Sequence, residues 1–133
     1  MSLEKIRMDY ENVLKTHDYV TVEGSGGIVC PIRWDPECKI LLEDVIKKLE
    51  LSVVIVADAG LGTINAVVLT VEYLKNHGIE VKGVILNHYT GSVMQEDNVK
   101  MIEELTGVSV LACIRDGANE LEIEAERLRE LYE

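Results

Sequence analysis

Apolar positions along the chain switch between a spacing of three and four residues and short unbroken runs, and this alternation predicts helices and strands in turn. Leu3, Ile6, Tyr10, Val13 and Leu14 line one face of the first segment, which predicts an amphipathic helix from residue 3 to about 16. Tyr19–Val22 then reads as a strand that delivers Glu23 to its C-terminal end, followed by Gly24-Ser25-Gly26-Gly27 and a second apolar run, Ile28–Ile32. Arg33 to Lys39 is a polar loop, and Leu41–Leu49 a short helix with Leu42, Val45, Ile46 and Leu49 inward. Val53–Ala57 is a nearly unbroken β-branched run stopped by Asp58-Ala59-Gly60-Leu61-Gly62, as expected of a strand buried on both faces. Thr63 is placed to cap the next helix, in which Ile64, Val67, Val68, Val71 and Leu74 share a face up to the stop at Gly78. Val81–Leu86 is a further strand, ending at Asn87-His88-Tyr89-Thr90-Gly91. Ser92 and Gln95 form a capping box for a helix through Leu105, closed by Gly107. Val108–Ile114 is the fourth strand, and residues 119 to 132 the last helix, with Leu121, Ala125, Leu128 and Tyr132 inward.

Helix and strand thus alternate from end to end with short connections and no repeat or linker. The prediction is an α/β fold over residues 1–133 as one domain: a mostly parallel sheet with helices on both faces, joined by right-handed crossovers. Ligands of such sheets bind beyond the carboxyl ends of the strands. Those ends carry Glu23, Asp58, Asn87 and Arg115.

Composition narrows the partners. With 133 residues and 47% hydrophobic content the chain can bury a core, and its longest apolar runs are far shorter than a membrane span. A net charge of −11 argues against nucleic acid or an anionic membrane, both of which require a basic face. Phosphate can still bind locally through backbone N–H groups or a metal ion. Cys30, Cys38 and Cys113 form no CxxC or Cys/His cluster, and Cys30 and Cys113 sit in apolar runs as small buried thiols. The N-terminal residues show no apolar signal segment, from which a cytoplasmic location is expected. The glutamates at 103, 104 and between 120 and 130 read as solvated helix faces.

Gly60-Leu61-Gly62-Thr63-Ile64-Asn65 invites a dinucleotide reading, but the fingerprint for that fold needs glycine at the sixth position, where Asn65 stands, and no acidic residue ends the next strand. Two readings remain: a tight turn only, or an anion at the helix N-terminus with Asn65 turned toward it. Glu23 at a strand end resembles a carboxylate that holds Mg²⁺, or is simply solvated. The small residues at 24–27 would let a ligand approach the backbone. Asp58 is a turn residue or a cap, Asn87 offers a donor and an acceptor together, as a purine edge requires, and His88 lies on the rim. The sequence contains no G-x-x-x-x-G-K-[ST] segment.

Val22-Glu23-Gly24-Ser25-Gly26-Gly27, Gly60-Leu61-Gly62-Thr63-Ile64-Asn65 and Val84-Ile85-Leu86-Asn87, in that order and spacing, resemble the C-terminal part of the dethiobiotin synthetases. The resemblance runs from about Glu11 onward, and Ile114-Arg115-Asp116-Gly117 to Tyr132 looks like the ending of clostridial-type members. It implies a P-loop-like fold, incomplete here, in a cytoplasmic, homodimeric, ATP- and Mg²⁺-dependent carboxylase of biotin biosynthesis. That enzyme converts 7,8-diaminononanoate and CO₂, through a carbamate that ATP phosphorylates, into a cyclic urea. By the matching motifs, Glu23 would be the Mg²⁺ ligand and Gly26 and Gly27 would lie near substrate. Leu61, Gly62, Thr63, Ile64 and Asn65 would receive the substrate carboxylate, offered across the dimer to the partner's site, and Asn87 would contact adenine. Arg115 stands where many members have proline, at the nucleotide side. The family's phosphate-binding loop, catalytic lysine and second Mg²⁺ carboxylate lie in a part the resemblance does not cover. The expectation is therefore a fragment with the second half of the fold and its dimer surface, inactive alone and without a catalytic residue of its own. A non-catalytic dimerising or regulatory module, or one subunit of a split enzyme, are the alternatives.

Overall fold

The computed structural model describes residues 1–133, which divide into two compact units, Met1–Leu51 and Ser52–Glu133. In the first, α1 (Leu3–Leu14) is capped by Ser2, whose side chain accepts the Lys5 N–H, and carries the pairs Lys5–Asp9 and Arg7–Glu11 at i, i+4. Leu3, Ile6 and Tyr10 are half-buried, and α1 lies along α2 (Leu42–Lys48), whose Val45 and Ile46 join Ile40 as the core of this unit.

Two expectations fail in this unit. Tyr19–Val22 forms no strand: residues 15–30 are irregular and mostly exposed, so Glu23 ends no strand. A strand exists only through a ladder, and no ladder forms along this run. The expected polar loop at 33–39 is instead a hairpin, β1 (Pro31–Trp34) antiparallel to β2 (Lys39–Leu41). Its turn is built by Asp35, whose Oδ1 accepts the N–H groups of Glu37 and Cys38 at 3.0 and 2.8 Å, with Pro36 at the position that favours a turn. Lys39 lies over the Trp34 ring at 4.8 Å.

The second unit follows the predicted alternation closely. Strands β3 (Val53–Asp58), β4 (Val81–Asn87) and β5 (Val110–Cys113) form a parallel sheet in sequence order, with α3 (Thr63–Asn76) and α4 (Val93–Thr106) as the crossovers, packed against each other. The core is Val67, Val71 and Leu74 of α3, Val84 and Leu86 of β4 and Ile102 of α4, all essentially inaccessible. Each such aliphatic side chain contributes about 1.5–3 kcal/mol by leaving water. Gly83 leaves room for Leu111 of β5 against β4: a Cβ there would overlap the leucine side chain. Gly107, at φ 68°, ends α4 as expected.

The last helix is shorter than the pattern predicts. Only Ala125–Glu130 is helical (α5), and Leu121, Leu128 and Tyr132 are exposed rather than inward. Glu120 and Glu124, and Glu122 and Glu126, would face each other at i, i+4 in a longer helix, and their repulsion has no buried face to offset it.

Candidate functional site

The parallel register sets Asp58 beside Asn87 at the carboxyl end of the sheet, and Ile114–Asp116 continues from β5 along the same rim. His88, in the left-handed region at φ 55°, turns its Nδ1 onto Asp58 Oδ2 at 2.7 Å, and its Nε2 lies 3.7 Å from Asp116 Oδ1. Asp58 also accepts the Gly60 N–H at 2.7 Å, which closes the turn into α3. The hydrogen bond to Asp58, then the charge of Asp116, raise the imidazole above its ordinary value, and the bond from His88, then the Gly60 N–H, lower the Asp58 carboxyl. A histidine raised on folding stabilises the rim fully below its unfolded pKa and loses that contribution as pH rises through the folded one. The His88 ring resonances, followed by NMR, are therefore expected to titrate above free histidine, and Asp58→Asn to bring them back toward it. An unshifted His88 in the wild-type chain would refute the bridge. The group is exposed, so salt is expected to weaken the shift.

Arg115 does not point away from the rim: its Nη1 donates to the Thr90 carbonyl at 3.1 Å and its guanidinium lies 5.9 Å from the Tyr89 ring centre. It ties down the loop after Asn87.

At the start of α3 the expected cap is displaced by one residue. Gly62, at φ 88°, holds the N-cap position, and no side chain caps the helix. Thr63 is the first helical residue, 5% exposed, and its Oγ1 has no hydrogen-bond partner. Helical bonding begins at Ala66, which donates to the Gly62 carbonyl at 3.2 Å. The N–H groups of Ile64 and Asn65 therefore face outward at the positive end of the helix. Leu61 beside them is 95% exposed. The helix start opens into a groove of about 500 Å³ running between α3 and α4, floored by Ile64, Val68 and Leu69 on one side and by Met94 and Leu105 on the other.

Glu23, Gly26 and Gly27 belong to the first unit, and the rim above is built from the second alone. Glu23 is exposed, Gly26 has φ 78°, and a Cβ at Gly27 would meet nothing within 4 Å. An open carboxylate beside bare backbone fits Mg²⁺, which keeps most of its waters and takes one or two protein carboxylates together with phosphate oxygens. No group of three or more His, Cys, Asp or Glu side chains is gathered anywhere as a metal cage. The thiols of Cys30, Cys38 and Cys113 are free and half-buried, and burial, then the Glu103 charge, raise Cys113. No helix is long and apolar enough to cross a membrane.

The sequence pattern puts Glu23, Asp58, Asn87 and Arg115 on one rim; the last three lie there, Glu23 ends no strand and belongs to the first unit, and three further features of the rim go unannounced. Asp116 and the His88–Asp58 contact follow from the parallel register, which seats the residue after one strand against the end of its neighbour. Gln95, the third, is expected as half of a capping box: Ser92 does accept its N–H at 3.3 Å, but its carboxamide turns to the rim loop instead of back to Ser92.

A nucleotide-type α/β fold with its polar residues at the strand ends defines the class. Residues 1–119 match the family described as AAA domain, and the chain belongs to that family. It is 49% identical over 132 residues to the ATP-dependent dethiobiotin synthetase BioD of Brachyspira hyodysenteriae, covering 98% of this chain and 59% of that protein. Against the protein of the same name from Clostridium perfringens it is 50% identical, covering 86% and 50%. For Clostridium botulinum (strain 657 / Type Ba4) the identity is 45%, covering 100% and 58%. The chain spans between half and three-fifths of the length of these relatives.

Proposed function

We propose that this chain is the substrate-carboxylate and adenine side of a cytoplasmic dethiobiotin synthetase, an ATP- and Mg²⁺-dependent ligase that carboxylates and cyclises 7,8-diaminononanoate. One observation carries the reading: the uncapped start of α3, where the buried Thr63 hydroxyl lacks a partner and two N–H groups face outward, suits a carboxylate. Leu61, Gly62, Thr63, Ile64 and Asn65 receive that carboxylate, Gly26 and Gly27 border the substrate, Glu23 holds Mg²⁺, and Asn87 and Arg115 serve the nucleotide. ATP supplies the phosphoryl group that activates the carbamate. A phosphate-binding loop and catalytic lysine come from outside these 133 residues. Two copies pair through the α3–α4 face, which brings the helix start of one to the active site of the other.

Calorimetric titration of the chain with diaminononanoate and with ATP·Mg²⁺ tests this. Diamine binding that Asn65→Asp weakens by about tenfold or more is expected, since the new carboxylate would oppose the substrate's own charge. Turnover of carbamate and ATP by this chain alone would overturn the division of labour.

The apolar exposure of that same α3–α4 face favours a second reading, a dimerising module without ligands. Binding of neither diamine nor nucleotide would select it.

A further inference from the structure

Gln95 is only 6% exposed on the first turn of α4, yet its side chain belongs to the rim. Its Oε1 accepts three hydrogen bonds, from Thr90 N at 2.7 Å, Thr90 Oγ1 at 2.9 Å and Gly91 N at 3.2 Å. Its Nε2 donates to the His88 carbonyl at 3.4 Å. Three donors converging on one atom fix which end of the carboxamide faces them, because an NH₂ group could accept none. The loop it holds is conformationally demanding: His88 and Gly91 both lie at positive φ, 55° and 77°. Such backbone persists only where its surroundings over-determine it.

We propose that Gln95 is the positioning residue for the nucleotide base, acting through loop 88–91 on Asn87. The proposal rests on Asn87 being the base contact. The backbone of Asn87 is held on one side, where its carbonyl accepts the Ala59 N–H at 2.7 Å. On the other side it is held through the residues that Gln95 ties to α4. Tyr89 N on Ile114 O at 2.8 Å and Arg115 on Thr90 O complete the fixing from the β5 side. With the backbone fixed before and after it, only the rotamers of the Asn87 carboxamide are left to order when it meets a base, which lowers the ordering cost of binding. Loss of Gln95 releases two backbone N–H groups, one hydroxyl and the His88 carbonyl at once, whereas loss of Arg115 releases one carbonyl and the contact with the Tyr89 ring.

The test uses the whole chain, with ATP·Mg²⁺ and adenosine as the probes and three readouts: hydrogen exchange, probe affinity by calorimetry, and the Asn87 side-chain amide in NMR. Gln95→Met, close in length but without polar atoms, is expected to speed exchange at Thr90 and Gly91 by about tenfold or more while Val84 and Leu86 stay protected. It is also expected to weaken ATP by about tenfold. Gln95→Glu keeps the acceptor oxygens and is expected to restore most of both. Unchanged exchange in Gln95→Met, or unchanged ATP affinity despite a loosened loop, overturns the positioning role. If neither ATP nor adenosine, whose base needs no phosphate-binding loop, moves the Asn87 signal in the wild-type chain, the base contact itself is wrong and the positioning role falls with it. If Gln95→Met fails to fold, Thr90→Val, which removes one of the three donors from a surface position, is expected to give a smaller loss of the same two quantities, and no loss overturns the proposal.

Discussion

Leu69→Glu combined with Leu105→Glu is expected to abolish the proposed pairing of two copies, read by sedimentation velocity across a concentration series. The face these residues occupy is apolar well beyond a scatter of single side chains. Leu61 is 95% exposed, Leu69 62% and Leu105 54%, with Met94 beside them. A contiguous patch of this kind marks an interaction surface. A self-complementary interface of standard size buries about 800 Å² on each partner, so both helices and the groove between them would have to enter it. Two carboxylates placed in such an interface, repeated by symmetry in the second copy, leave four uncompensated charges to desolvate. A weakening of about a hundredfold or more is expected. Both positions are exposed in the single chain, so the unfolding free energy is expected to change by no more than about 0.5 kcal/mol, which separates lost association from lost folding. A wild-type chain that is monomeric at every concentration would remove the paired-copy proposal. A variant that still dimerises would move the interface elsewhere, and the β3 edge, where Val56 is 65% exposed, is then the next place to look.

How much of this was legible beforehand differs between the two units for a physical reason. Val53–Asp58, Val81–Asn87 and the helices between them were readable to within a residue or two, because each local signal agrees with the sheet it joins: β-branched runs, glycine stops at Gly78 and Gly107, and Ser92 as a cap. Tyr19–Val22 carries the same local signal and forms no strand, since local propensity does not by itself make a ladder. The hairpin at 31–41 was overlooked for the opposite reason. Its strands are short and polar, and only Asp35-Pro36 announces the turn. In the site, the residue types at the strand ends were visible, but the contacts joining them were not. His88 onto Asp58, and Gln95 onto the loop, depend on register and on a left-handed backbone that spacing alone does not encode.

The largest effect on folding is expected from Leu74→Ala, measured by chemical and thermal unfolding. Leu74 is fully inaccessible and lies three and seven residues after Val71 and Val67, so the three form the stripe that seats α3 on the sheet. Its carbonyl also accepts the Ile79 N–H at 3.0 Å, joining the helix end to the chain that leads into β4. Removing three carbons there leaves a cavity that a parallel sheet with short connections has little freedom to close, and a cost of about 2–5 kcal/mol is expected. Against the 5–15 kcal/mol that typically holds a small domain together, that is about a third of the total, with a fall in midpoint of about 10–20 °C. Val68→Ala, one residue beyond Val67 on the groove side and only half-buried, provides the contrast, with a cost of about 1 kcal/mol or less. Equal costs for the two variants would mean that α3 is seated by the wrong face. The outcome also bears on the site, because the uncapped start of the same helix carries the proposed carboxylate contacts. While Leu74→Ala remains folded, those N–H groups keep their place on the first turn. Diamine affinity is then expected to fall only in proportion to the unfolded fraction, whereas Asn65→Asp is expected to lower it with the fold intact.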